Sequence, residues 1–222
     1  MPKLPGFVLT LVLLVAAGPV AAQTHSSSVG LNVGVVMYSA FNSGATGATV
    51  DLKPSPDIMG GVQYDWFLGS GNLGFRFAGH YQRMQMDWNN GERDIFAYAG
   101  DFDALIRPIR PDVDTKVIPY LSLGVGFTHY RFGNGNPTGY GPGAVVFEGN
   151  ESTQFSVLGG IGFDIMTGWH WDEGNFLIRI EAQDNYVLES PFQPIEGSSE
   201  LGGVHNLRIM IGLHNTMGGL VP

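Results

Sequence analysis

The chain has 222 residues, no cysteine and a formal net charge of −9 at pH 7. The missing cysteines exclude a small secreted fold held by disulfides, and the acidic balance argues against a nucleic-acid partner. Charged residues make up only 14% of the chain, whereas about 25% is usual in soluble domains. This deficit is typical of a protein with a large buried or lipid-facing surface.

The first predicted element is a signal peptide. An apolar segment at 7–17 is followed by Pro19 and by small residues that end at Ala22, which is the pattern that signal peptidase recognises. The alternative is an anchor helix, but the segment is shorter than the ~20 residues that span a bilayer, and Pro19 interrupts it. We therefore expect a signal peptide at 1–22 and one domain at 23–222.

Eight extended segments follow, and each alternates apolar residues on one side with polar or very small residues on the other. In the clearest segment the apolar side carries Phe176 and Ile178, and the polar side carries Arg179 and Glu181. This alternation is that of a strand with two different faces, because successive side chains point to opposite sides. The predicted strands are about 29–40, 57–69, 73–86, 93–106, 117–131, 153–167, 175–188 and 203–216.

The connections between these strands alternate in length. If both termini are periplasmic, the outer loops are 41–56, 87–92, 132–152 and 189–202, and the inner turns are 70–72, 107–116 and 168–174. Long outer loops, short inner turns and an even number of long strands are typical of outer-membrane barrels, as are aromatic residues near the strand ends. The predicted fold class is all-β: an eight-stranded antiparallel up-and-down transmembrane β-barrel, apolar outside and polar inside.

Three of the strands also carry family motifs. The segment 118–127, IPYLSLGVGF, resembles the Pro-Tyr…Gly-x-Gly strand of small outer-membrane barrels, the segment 155–164 resembles the strand that follows it, and 205–213 resembles the closing strand. Over essentially the whole mature chain the sequence is similar to the OmpA/OmpX-like barrel superfamily. Such barrels usually end on an aromatic residue that the assembly machinery reads, whereas this chain ends at Pro222. The peptidoglycan-binding module of some relatives is not expected here.

The resemblance implies a monomer that contacts outer-membrane lipids and lipopolysaccharide and is inserted by the barrel assembly machinery. The polar faces would then fill the barrel interior. Barrels of this size are just wide enough for side chains to fill, and buried charges must be paired. We therefore predict a structural network with Arg179 and Glu181 at its core; the alternative is an ion-conducting lumen. Its predicted members are Asp65, Arg76, His80, Asp101, Asp103, Asp164, Arg179, Glu181 and Arg208.

No catalytic, metal or cofactor site is predicted. His80, His129, His170, His205 and His214 lie on different strands and turns, without the spacing of metal ligands. The acidic turns at 112–114 and 172–173 are expected to be solvated, since a calcium site needs more oxygen ligands at ordered spacing.

A lipid A-modifying barrel of the serine hydrolase type needs a serine, a histidine and an acid within hydrogen-bond reach. His129 lies at an outer strand end, with Glu189 and Ser190 near the same rim. However, His129 falls on the lipid-facing side of its strand, and no serine stands two residues from it.

The predicted function is therefore non-enzymatic. We expect an integral outer-membrane protein with a structural or surface-contact role, in which the loops 132–152 and 189–202 would bind any surface ligand. The alternatives are a narrow porin-like pore for small solutes, a lipid A-modifying enzyme, and a soluble lipocalin-like cup whose apolar face points inward.

Overall fold

The computed structural model describes residues 27–38, 41–45, 48–52, 57–69, 71–88, 91–109, 115–132, 151–171, 174–188 and 203–217. The predicted signal peptide 1–22, most of the predicted loop 132–152 and all of the predicted loop 189–202 lie outside these residues. In chain order the strands are β1 (Ser27–Tyr38), β2 (Phe41–Ala45), β3 (Ala48–Leu52), β4 (Asp57–Leu68), β5 (Leu73–Trp88), β6 (Gly91–Ile106), β7 (Val117–Phe132), β8 (Glu151–Trp171), β9 (Gly174–Val187) and β10 (Val204–Met217).

Of the strands in the described ranges, eight close into one antiparallel barrel, in which β4 to β10 pair in chain order and β1 pairs with both β10 and β4. This confirms the predicted fold class. The predicted strand ends differ from the observed ones most at β8, which was expected to end at 167 and ends at Trp171. No helix in the described residues is long and apolar enough to cross a membrane.

Two connections differ from their prediction. The segment 41–56 contains the short hairpin of β2 and β3, paired from Phe41 with Leu52 to Ala45 with Ala48, which is separate from the barrel sheet. The turn predicted at 168–174 is largely strand, because β8 continues past a register shift between Met166 and His170. That shift breaks the regular alternation of side chains from which the strand end was predicted.

The register fixes the size of the barrel. The cross-strand partners can be followed from strand to strand around the barrel, starting at Ser27 on β1. The path returns to β1 at Met37, ten residues further along the strand. The partners on the way are Trp66, Phe75, Ala104, Leu123, Gly159, Asp184 and Leu207. With strands ~4.8 Å apart and ~3.3 Å per residue, this stagger corresponds to a strand tilt of about 40° and a backbone radius of about 8 Å. An interior this narrow is readily filled by side chains.

The two faces of the barrel differ as the sequence predicted. Leu31, Ile58 and Phe155 point outward and are 68%, 73% and 70% exposed, whereas Arg76 and Asp65 point inward and are fully buried. An apolar exterior around a polar interior is the arrangement of a membrane barrel and the reverse of a lipocalin-like cup. The cup alternative is therefore wrong.

We name the two ends of the barrel by its strands. The terminal end is where β1 begins at Ser27 and β10 ends at Met217, and the loop end is the opposite one. At the loop end, β5 continues to Trp88 beyond Gln82, the last of its residues that pairs with β4. Likewise β8 begins at Glu151, before Ser156, which is the first of its residues that pairs with β9. The strands β5 to β8 therefore form a tall wall on one side of the rim.

Candidate functional site in the barrel interior

The interior of the terminal-end half is dominated by two arginines that share one carboxylate. Arg76 Nε donates a hydrogen bond of 2.9 Å to Asp65 Oδ1, and Arg179 Nη1 donates to Asp65 Oδ2. Arg76 Nη1 also reaches both oxygens of Glu181, at 2.7 and 2.8 Å. Both oxygens of Asp65 are thus paired, and the carboxylate holds the two guanidinium groups side by side.

The pairing continues across the barrel through Asp164. Arg179 Nε and Nη2 donate to the two oxygens of Asp164 at 2.7 and 3.0 Å, and Arg107 Nη2 donates to Asp164 Oδ2 at 2.7 Å. Paired guanidinium and carboxylate groups of this kind are among the strongest side-chain interactions. The result is an alternating series of three acids and three bases, which we call the charge chain: Glu181, Arg76, Asp65, Arg179, Asp164 and Arg107.

Aromatic rings support the guanidinium groups of the charge chain. The Cζ atoms of Arg76 and Arg179 lie 5.2 and 4.9 Å from the centroid of the Tyr120 ring. That ring lies against Gly162, where a Cβ atom would overlap it. Arg107 Cζ lies 3.5 Å from the centroid of the Phe67 ring. Cation–π contacts strengthen in such a desolvated setting, so the rings compensate in part for the lost hydration of the cations.

A second group of polar side chains lies closer to the loop end. Arg208 Nη1 donates to Asp101 Oδ2 at 2.6 Å, and His80 Nε2 lies 3.3 Å from the same oxygen. Gln183 links this group to the charge chain: its Oε1 accepts from Arg208 at 3.3 Å, and its Nε2 donates to Asp103 Oδ2 at 3.3 Å. Asp103 Oδ2 in turn lies 4.0 Å from Arg76 Nη1 of the charge chain.

All nine residues predicted from the sequence lie in the interior, where each is at most 5% exposed. However, Arg179 and Glu181, which were expected to form the core of the network, do not pair with each other. Arg179 and Glu181 are joined through Asp65 and Arg76 rather than to each other, because side chains two apart on one strand project in parallel and meet partners from across the barrel. The cross-barrel partners depend on strand tilt and stagger, which the sequence does not display.

Arg107 belongs to the charge chain but was not predicted, since it was assigned to the turn 107–116. The residues Asp101, Asp103 and Leu105 alternate inward, and Arg107 continues the same alternation one step past the end of β6. Extending the period of two beyond the predicted strand end would have identified it. Tyr120 was read only as part of a family motif, although it too faces inward.

Formal charges inside the barrel nearly balance. Among the described residues the buried carboxylates are Asp65, Asp101, Asp103, Asp164 and Glu181, and the buried guanidinium groups are Arg76, Arg107, Arg179 and Arg208. His80 lies beside the carboxylate of Asp101. Burying charges is unfavourable unless each finds a partner in good geometry. A cavity of about 10 Å³ beside Arg107 and Phe67 leaves room for about one water molecule at the terminal end.

The histidine considered for catalysis lies on the outer surface of the tall wall. His129 Nδ1 is 2.8 Å from Thr153 Oγ1, and His129 Nε2 is 3.8 Å from Glu151 Oε2. The second distance exceeds a hydrogen bond, so the acid is not placed to orient the imidazole as in a catalytic triad. Glu189 and Ser190 lie outside the described residues. Among the described side chains, no three His, Cys, Asp or Glu residues are grouped to hold a metal ion.

Comparison with known proteins supports the fold. No protein-family model and no curated protein sequence matches this chain. Among solved structures, the outer membrane protein OprG of Pseudomonas aeruginosa superposes with a TM-score of 0.54 at 13% identity, covering 90% of this chain and 99% of OprG. The attachment invasion locus protein Ail of Yersinia pestis gives a TM-score of 0.48 at 15% identity, over 88% of this chain and 100% of Ail.

The N-terminal β-barrel domain of Pseudomonas aeruginosa OprF gives a TM-score of 0.45 at 14% identity, over 86% of this chain and 97% of that domain. The closed barrel of this chain, together with its likeness to OprG, defines the class of protein. The chain has the fold of the small eight-stranded outer-membrane β-barrels. This confirms the fold that the resemblance implied.

Proposed function

We propose that this protein is a non-enzymatic integral outer-membrane protein whose barrel is a plugged scaffold for surface contacts. The observation that carries the proposal is the charge chain. It runs from Glu181 on β9 through residues of β5, β4 and β8 to Arg107 at the end of β6, and so it crosses the lumen. A conducting pore needs hydrated side chains along its length, whereas each member of this chain is paired and buried.

The exterior supports a location in a membrane. A tilted strand needs about 9–11 residues to cross the hydrocarbon region, and every barrel strand has at least 12. The exposed apolar residues on each strand would face lipid acyl chains and the lipid part of lipopolysaccharide. Export by a signal peptide, insertion by the barrel assembly machinery and a monomeric state belong to the same proposal.

Since the strands are occupied by membrane contact and by the plug, contact with the outside falls to the connections at the loop end. We propose that any surface ligand binds the segments 132–152 and 189–202. In this orientation the loop end faces the exterior of the cell and the terminal end faces the periplasm.

Planar-bilayer recordings test the plug. The folded wild-type protein is expected to show no stable openings, because the paired side chains leave no aqueous path. The double variant Arg76→Ala/Glu181→Ala removes one base and one acid together and is expected to conduct. As a matched control, the exposed pair Arg83 and Asp94, whose Nη2 and Oδ2 lie 3.0 Å apart, can be replaced in the same way without effect.

The narrow-pore alternative makes the opposite prediction. It requires stable wild-type openings whose conductance changes when Arg179 or Glu181 is neutralised, and such a result would overturn the plugged scaffold. The enzyme alternative is tested separately by mass spectrometry of lipid A from cells with and without the protein. An altered acyl pattern in the presence of the protein would contradict the non-enzymatic proposal.

A further inference from the structure

One charged side chain lies within the apolar band on the outside of the barrel. Along the path of partners from Ser27, each step to the next strand rises by about 3 Å towards the loop end, and each residue along a tilted strand adds about 2.5 Å. On this scale Asp184 lies about 19 Å above Ser27, whereas Arg83, His129 and His205 lie about 26–28 Å above it. Among the described residues that point outward between about 4 and 25 Å, Asp184 alone carries a formal charge.

The outward direction of Asp184 follows from the alternation along β9. Gln183 and Asn185 on either side of it point inward and are at most 2% exposed, whereas the Asp184 side chain is 44% exposed. A carboxylate that faces acyl chains loses its hydration, and charged residues on the lipid side of a barrel become more unfavourable with depth. Polar groups from outside the barrel wall would remove this penalty.

Two polar side chains lie above Asp184, on the side of the loop end. His205 Nδ1 is 2.7 Å from Asp184 Oδ2, and the His205 side chain is 62% exposed. Tyr186 is the next outward residue above Asp184 on β9, and the centroid of its ring lies 4.7 Å from that of the imidazole. Tyrosine is favoured where a membrane meets water. These three residues form what we call the polar column, which leads from the level of the other outward polar side chains down to Asp184.

On the β8 side, the surface next to Asp184 carries very small residues. The cross-strand partner of Asp184 on β8 is Gly159, and a Cβ atom there would have no atom within 4 Å. The outward residue below Asp184 on β9 is Ala182, whereas its partner on β10 is Leu207. The carboxylate can therefore be approached from the membrane over Gly159 and Ala182.

The outer surface is different at the same height three strands away. By the geometry given above, Gly79 on β5 and Gly159 on β8 both lie about 16 Å above Ser27. The outward neighbours of Gly79 along its strand are Phe77 and Tyr81, which are 49% and 43% exposed. At one height the barrel thus presents aromatic rings on one side and the polar column on another.

We propose that the polar column is a docking site for the hydrated headgroups of the outer leaflet, which descend to the level of Asp184 beside β9 and β10. A carboxylate accepts hydrogen bonds, so the site fits headgroups that carry hydroxyl or ammonium donors. The membrane is then thinner on this side by about 7 Å, the difference in height between Asp184 and Arg83. The inference rests on the membrane location proposed above.

Spin labels at two glycines measure the local depth, because the chain has no native cysteine. Gly159→Cys places a nitroxide label beside the polar column, and Gly79→Cys places one at the same height among the aromatic rings. At both positions a Cβ atom meets no atom closer than 3.9 Å, and neither glycine has a positive φ. The full protein is folded into vesicles of phosphatidylethanolamine and phosphatidylglycerol, with heat-modifiable migration as the check of folding. Collisions of the label with a water-soluble nickel chelate and with oxygen, which dissolves in hydrocarbon, report its depth.

We expect the Gly159→Cys label to lie nearer to water than the Gly79→Cys label by roughly 7 Å, the distance over which the headgroups descend. Asp184→Leu in the Gly159→Cys background removes the charge, and the label should then have the same depth as the Gly79→Cys label. Asp184→Ala is a second variant with the same expected result, should the leucine variant fail to fold.

Equal depths of the two labels without a change at Asp184 would overturn the docking site. A shallow Gly159→Cys label that persists after Asp184→Leu would overturn it as well. A Gly159→Cys label hidden from both nickel and oxygen would indicate a protein partner in place of headgroups. If both labels instead lie in water, the membrane location itself is contradicted, so the two proposals fail in different ways.

Discussion

The two halves of the barrel interior treat buried polar atoms differently. In the terminal-end half, Asp65 and Asp164 use both carboxylate oxygens, and they join guanidinium groups from different strands. In the loop-end half, Arg208 pairs with Asp101, and the buried side chains beyond this pair include the neutral Asn185, Asn206 and Ser156. One half is held by a series of paired charges across the lumen, whereas the other combines the Asp101–Arg208 pair with neutral polar groups.

This difference shows that the polar side chains inside one barrel can contribute to stability in different ways. Direct pairing of buried charges links strands that are distant in the chain, and removing one partner leaves an uncompensated charge. A neutral hydroxyl or amide group contributes less, because a hydrogen bond between neutral groups adds only about 0.5–1.5 kcal/mol to stability. We therefore expect substitutions of similar size to have unequal effects in the two halves.

The largest expected effect follows from Arg179→Ala. The change leaves Asp164 and Asp65 each without one of its cations, in a part of the lumen that is closed to solvent. We expect the free energy of unfolding to fall by about 3–5 kcal/mol, as when one partner of a buried ion pair is removed. Urea unfolding of the protein in lipid vesicles measures the loss. Arg83→Ala, at an exposed position, serves as the control and should change the free energy of unfolding little. Equal losses for the two variants would contradict the proposal that the charge chain stabilises the barrel.

A smaller loss is expected from Gly162→Ala. The new methyl group would overlap the Tyr120 ring, which cannot move freely because Arg76 and Arg179 lie over it. Overpacking of this kind costs about 1–3 kcal/mol. Gly159→Ala on the same strand is the matched control, since its methyl group would point outward with no atom within 4 Å. The same unfolding assay compares the two, and an equal response would show that the ring is not confined.

The smallest effects come from the two inward serines. Ser122→Ala removes a hydrogen bond to the charged Glu181, whereas Ser156→Ala removes a hydroxyl with no partner in the described residues. We expect a loss of about 1 kcal/mol for the first and less than about 0.5 kcal/mol for the second. A larger loss for Ser156→Ala would mean that the loop-end half is held by direct contacts, and the contrast between the halves would disappear.

Much of this arrangement could be predicted from the sequence. The alternation of apolar and polar residues along each strand predicted its two faces. It also placed Arg76, Arg179 and Arg208 inside the barrel. Pairing partners could not be predicted, because Arg76 on β5 meets Glu181 on β9 only through the tilt and stagger of the closed sheet. Arg107 was missed because the strand end was placed one residue before it, although its alternation with Asp103 and Leu105 is regular.

The connections were the least predictable part. The β2–β3 hairpin lies in a segment read as a loop, because its two strands have only five residues each and lack a long alternating pattern. His129 was correctly assigned to the lipid-facing side of its strand. Its contact with Thr153 links β7 with β8, and such a contact depends on a register that the sequence does not display.

The tall wall of β5 to β8 makes the rim of the barrel oblique. Its outer surface carries the polar side chains Arg83, Asp94, Arg131 and Glu151, while the strands on the other side of the barrel end lower. A barrel with a level rim would look alike from every direction in the plane of the membrane. This protein instead has a taller side and a shorter side, so its neighbours in the membrane would meet a different surface according to the side from which they approach.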